Sequence, residues 1–145
     1  IGYPQFKYYS AINHKDTVSE DVDFCRKALE KGKELGFKPL SVAVLDAGGH
    51  LIAFERSDGA APGRVAIATG KAYGAVMLGM AGRAQMARAE QQAYFMQAVN
   101  GALQGQVVPV PGGVLIRDAK LNVVGAVGVT GDLSDNDEKL LVSTK

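Results

Sequence analysis

Arg64 and Lys71 are the residues whose type and spacing first suggest chemistry. They stand seven residues apart in a segment of helical pattern. At 3.6 residues per turn they project within about 20° of each other. Ile67, Ala68, Ala75 and Leu78 share that face. Two cations on an apolar stripe need an anionic partner if they are buried. A carboxylate-bearing ligand would be one; Asp46, Glu55 or Asp58 would be an internal one. The plain alternative is a solvated helix edge whose long side chains lie over apolar surface. His50 follows Gly48-Gly49 and suits a proton donor or a haem ligand, or simply a surface hairpin residue. Pro111-Gly112-Gly113 makes a second glycine turn, where the backbone can come close to a ligand or to a neighbouring chain.

Other candidates are weaker. Two histidines, His14 and His50, with the lone Cys25, give no zinc spacing and no internal disulfide. Cys25 reads as core, as do Tyr94-Phe95 and the methionines 77, 80, 86 and 96. Ser57 and Ser134 lack a nucleophile elbow. Gly48-Gly49 lacks the pattern of a dinucleotide or Walker loop. With 16 basic and 15 acidic residues the net charge is +1, which leaves no electrostatic footprint for nucleic acid. No apolar run approaches a membrane span. A cytoplasmic location is the expectation, with export left open. The chain begins at Ile1, and a processed or trimmed start is expected.

The elements that must position these residues follow from pattern. Residues 1–16 have no period and read as an N-terminal arm, and 17–145 as a single domain. Thr17 and Glu20 suggest a capping box opening a helix to about Leu35, with Gly36 as its stop. Its inner stripe is Val18, Val22, Cys25, Leu29 and Gly32. Apolar runs on both sides of Gly48-Gly49 predict a tight antiparallel hairpin over 40–56, apolar on both faces. A helix over 64–80 carries Gly63, Ala66, Gly70 and Gly74 in line, so something packs close against it: the sheet, another subunit or a flat ligand. Gly82 breaks that pattern, and 84–103 hold one or two more helices. Residues 107–117 read as a hairpin turning at Pro111-Gly112-Gly113, and 123–129 as a further strand. A polar loop over 131–137 precedes a short helix from Glu138. The expected order is α, β, β, α, α, β, β, β, α. The apolar faces and the small stripe together predict a homo-oligomer.

Several blocks carry a resemblance. Val42 to Leu51, with Asp46-Ala47-Gly48-Gly49-His50 at its centre, is the first. Phe54-Glu55-Arg56-Ser57-Asp58-Gly59-Ala60 and Ala68-Thr69-Gly70-Lys71-Ala72 follow. Pro111-Gly112-Gly113-Val114-Leu115-Ile116, the run from Val124 to Gly131, and Asp135-Asn136-Asp137-Glu138 complete the set. In this order they resemble the GlcG/HbpS-like family, whose members include haem-binding HbpS and the PduO C-terminal domain. The resemblance spans about Val18 to Glu138. It implies an α/β (α+β), profilin-like fold: a five-stranded antiparallel sheet flanked by helices, forming homo-oligomers. It implies tetrapyrrole binding for some members only. It matches the family's lysine to Lys71 and its Pro-Gly-Gly to Pro111, Gly112 and Gly113, which would line a shared pocket. No ligating histidine is carried over to His14 or His50, and Thr130 stands where serine is usual.

Two functions follow. One is a small-ligand-binding protein that takes haem or another carboxylated planar ligand near the Pro-Gly-Gly turn. The other is a cofactor-free isomerase or lyase acting on a small organic acid or aromatic metabolite. There Arg64 would hold a carboxylate, Lys71 or His50 would move a proton, and the Gly112 and Gly113 amides would stabilise an oxyanion.

Overall fold

The computed structural model describes residues 17–141; the arm expected over 1–16 lies outside them. Helix α1 (Thr17–Glu34) turns Phe24, Cys25 and Ala28 fully inward, with Val22 and Leu29 packed beside them. The side chains of Thr17 and Val18 are outside the described residues. Gly36 closes the helix in the left-handed region at φ +74, as its position suggested.

Strands β1 (Ser41–Asp46) and β2 (Leu51–Arg56) pair antiparallel, with Val44 opposite Ala53 and a bulge after it. Their connection is not the expected tight two-residue turn. The Asp46 carboxylate accepts the N–H groups of Gly48 and His50, both at 2.9 Å, and only Gly49 has positive φ. An aspartate-capped loop of four residues replaces a primed turn, because Asp46 satisfies amides that a tighter turn would leave to the ladder.

The sheet has four antiparallel strands among the described residues, not five. Its order is β2-β1-β4-β3, with β3 (Gly113–Arg117) and β4 (Val123–Thr130) as the second pair. The missing strand is the first half of the hairpin expected over 107–117. There the Val107 amide donates to the Asn100 side chain at 2.9 Å, and the Val108 amide to the Gly70 carbonyl at 3.3 Å. Pro111 has no N–H to give. Amides committed to helices cannot build a ladder, so Pro111-Gly112-Gly113 leads into β3 instead of joining two strands.

Helix α2 (Arg64–Leu78) ends at Gly79, in the left-handed region at φ 67, just before the expected Met80. Gly82 opens α3 (Gly82–Gln91), and α4 (Ala93–Ala102) follows a break at Gln92. Helix α5 (Ser134–Leu141) takes in most of the expected polar loop. Helices α1 and α5 cover one sheet face, where Leu140 and Leu141 meet Val42, Val44, Val127 and Val129. Helix α2 covers the other, setting Ala72 and Ala75 on Leu45 and Ala126. Both faces are thus covered over the central strands β1 and β4, while the edge strand β2 stays partly open, with Leu51 exposed.

Glycine lets α2 sit this close. A Cβ on Gly128 or Gly113 would run into the carbonyls of Ala68 and Lys71. On the other side of the helix, residues 106–108 close over the Gly70 and Gly74 end of the small stripe, while Gly63 and Ala66 stay exposed. A Cβ on Gly70 would lie 2.6 Å from Val108 Cγ2, and one on Gly74 2.9 Å from Val107 Cγ1. What packs on Gly70 and Gly74 is the chain's own irregular segment, joined at Gly74 by Gln85 of α3. Among the described residues, no single helix is long and apolar enough to cross a membrane.

Candidate ligand-binding site

Lys71 points from α2 into the sheet and is only 1% exposed. Its ammonium donates to Asp137 Oδ2 at 3.1 Å and to the Val129 carbonyl at 3.0 Å. The internal anion is thus Asp137 of α5. Asp46, weighed for that role, instead lies against His50, and Glu55 against Arg26. Burial pulls Lys71 below the ordinary lysine range and pushes Asp137 above the usual carboxylate range, each against their mutual attraction. Gly112 closes over the ammonium. Its φ is +119, and a Cβ there would lie 2.8 Å from Lys71 Nζ and 2.6 Å from the Val129 carbonyl. Gly112 O also accepts the Val129 amide at 2.8 Å. The structure therefore brings Lys71, Gly112 and Gly113 together, as a sealed packing unit in which the Pro111 turn is held against α2.

Arg64 is half-buried and donates from Nη1 to Thr130 Oγ1 at 2.7 Å. No carboxylate pairs with it among the described residues, and its charge weighs against that of Lys71. Its neighbour Thr130 is fully buried, and the threonine hydroxyl oxygen accepts this bond. His50 is elsewhere. It stands exposed on the β1–β2 loop, with Nδ1 3.2 Å from Asp46 Oδ1. Lys71 and His50 are not joined by any contact.

An open groove lies on the outer face of α2, turned away from Lys71. Val65, Ala66, Ile67, Thr69, Gly70 and Tyr73 form one wall of a groove of about 410 Å³. Gly105, Gln106 and Val108 form the other. None of these residues is charged, and Thr69, Tyr73 and Gln106 are the polar side chains. The volume is that of a small-ligand site. The helical pitch explains the division: Arg64, Ala68, Lys71 and Ala75 share the sheet-facing stripe, while Ala66, Thr69 and Tyr73 turn outward.

Residues 20–144 match the family described as haem degrading protein HbpS-like. The chain belongs to the HbpS-like family. Among solved structures, HbpS is 29% identical at a TM-score of 0.66, over 80% of this chain and 77% of that one. The Klebsiella pneumoniae protein ORFY is 26% identical at 0.70, over 81% and 79%. A PduOC:heme complex shares the fold, at 23% identity and a TM-score of 0.74, over 90% and 89%. No curated protein matches the chain significantly.

In this HbpS-like chain three site residues escape a reading of the sequence: Asp137, Tyr73 and Gln106. Asp137 was detectable in principle, since a buried lysine requires an acid and 135–138 is an acidic run at a helix start. Tyr73 lies within two residues of Lys71, yet helical geometry sends it to the opposite side. Gln106 falls between the helix read over 84–103 and the strand read from 107, so no pattern marks its place beside the groove. No cluster of three or more potential metal-ligating side chains occurs among the described residues.

Proposed function

We propose that the protein binds haem, or another flat ligand with acidic edge groups, in the groove on the outer face of α2. The observation that carries this is the character of the groove. Its walls are short or apolar side chains, uncharged throughout, against which a flat apolar ring can lie. The groove is open, so carboxylates at the ligand's edge would stay in water and need no buried cation. Segment 105–108, its outer wall, runs on into Pro111-Gly112-Gly113, so the Pro-Gly-Gly turn holds the wall without touching the ligand. Family membership and the haem complex formed by PduOC support the same reading. Haem would bring an iron centre; the protein's part is an uncharged, largely apolar face with the Tyr73 side chain on it.

Haemin titration followed at the Soret band tests this. Wild type should bind, and Ala66→Trp, which fills the groove from an exposed position, should bind about tenfold or more weakly. Its melting temperature should not change. Wild type that leaves haemin unbound, or Ala66→Trp that binds equally well, would refute the assignment.

A further inference from the structure

We infer that Tyr73 supplies the oxygen that ligates the iron of the bound haem; the inference rests on the groove reading above. Three polar side chains line the groove, those of Thr69, Tyr73 and Gln106. The threonine hydroxyl and the glutamine amide are neutral, weak donors. A phenolate is an anionic oxygen and an established type of haem ligand. On ligation the phenol O–H is lost, its proton passes to solvent, and the oxygen bonds to ferric iron with no change in oxidation state.

The setting of Tyr73 suits this role. Its ring packs against the cluster of Leu45, Ala72, Ala75 and Ala126. The β1–β2 loop presses on it from the side: a Cβ on Gly49 would lie 3.2 Å from Tyr73 Cε1. Gly49 has φ +85, a conformation that frees the loop to close on the ring. The ring is thus held on two sides. Among the described residues the Tyr73 hydroxyl is not one of the buried polar atoms left without a partner, and Tyr73 lines the groove, so the phenol is accessible from the open side.

The rival donors are placed less well. His50 has Nδ1 against Asp46, and its side chain is 80% exposed. Met77 turns its methyl to Gly49 and is not part of the groove wall. Lys71 is sealed on the opposite face.

The test is haemin titration into wild type, Tyr73→Phe, Tyr73→His and His50→Ala, with absorption, resonance Raman and electron paramagnetic resonance spectra of each ferric complex. Wild type and His50→Ala should show iron–phenolate vibrations and a phenolate-to-iron charge-transfer band. Tyr73→Phe should lose both and bind haemin about tenfold or more weakly. Tyr73→His should restore affinity with an imidazole-type spectrum. Haemin bound by Tyr73→Phe with an unchanged spectrum would overturn the inference and leave the groove reading standing. Loss of the wild-type spectrum in His50→Ala would also overturn it, in favour of the histidine. Wild type that binds no haemin would bring down both.

Discussion

Replacing Lys71 by Met isolates the energetics of the sealed ion pair. The change keeps side-chain length and removes the charge. Asp137 is then left almost wholly buried, with the Asp132 amide at 3.0 Å as its remaining donor. Breaking a buried pair by removing one partner costs about 3–5 kcal/mol, because the surviving charge is uncompensated. For a domain of this size that corresponds to a fall in melting temperature of roughly 10–15 °C. Combining Lys71→Met with Asp137→Asn should recover about half of the loss or more, since asparagine still accepts the Asp132 amide and carries no charge. The loss should also shrink in acid. The orphaned carboxyl would have a raised pKa, so its burial is penalised above that pKa and relieved as pH falls through it. Differential scanning calorimetry of the two singles and the double at pH 5 and pH 8 reads all three effects. Haemin affinity, corrected for the folded fraction, should stay put, since Lys71 and the groove lie on opposite faces of α2. A stability loss below about 1 kcal/mol, or a double no better than the single, would refute the buried-pair argument. A fall in haemin affinity without a fall in stability would place Lys71 in the ligand site after all.

Three further outcomes are expected. Asp21 is 1% exposed, and burial raises its pKa from 3.8 to about 7. Between those values the folded state holds a proton that the unfolded state has lost, so stability falls as pH rises, by at most about 4 kcal/mol; Asp21→Asn should flatten that slope in denaturant titrations from pH 4 to 8, and an unchanged slope would assign it to another group. Gly36→Ala, at φ +74 in open space, should cost roughly 1–2 kcal/mol, while Gly112→Ala should cost clearly more because its Cβ also meets Lys71 and Val129; equal losses would show that the turn yields. Cys25 is fully buried with its thiol pushed up to about 12, so an aromatic disulfide reagent at pH 8 should modify it only as fast as the protein opens, and rapid labelling of native protein would contradict the core packing of α1.

Local pattern carried the fold a long way. Alternating apolar runs located β1, β2 and β4; of the inner stripe of α1, Cys25 is core and Val22 and Leu29 pack beside it, with Phe24 and Ala28 added. The fifth strand failed for a reason that residues 107–110 cannot reveal. Their β-branched side chains favour a strand, but their amides are taken by Gly70 and Asn100, partners far off in sequence or buried in another element's face. Tertiary hydrogen bonding overrode propensity there, and the same packing covered the Gly70 and Gly74 end of the small stripe. The site shows a parallel limit. Arg64, Lys71 and Gly112 were recognisable as unusual: a cation on an apolar stripe and a glycine before a strand both demand explanation. Yet two rows of α2 each looked fit for a ligand, one cationic and one small. Deciding between them requires knowing which row faces the sheet. That depends on Gly113 and Gly128, distant in sequence, whose missing side chains admit the backbone of α2 at Ala68 and Lys71. The cationic row was therefore drawn inward to meet Asp137. By the same rotation Ala66, Thr69 and Tyr73 were left to line the groove, so the proposed site rests on the unremarked tyrosine and not on the conspicuous lysine.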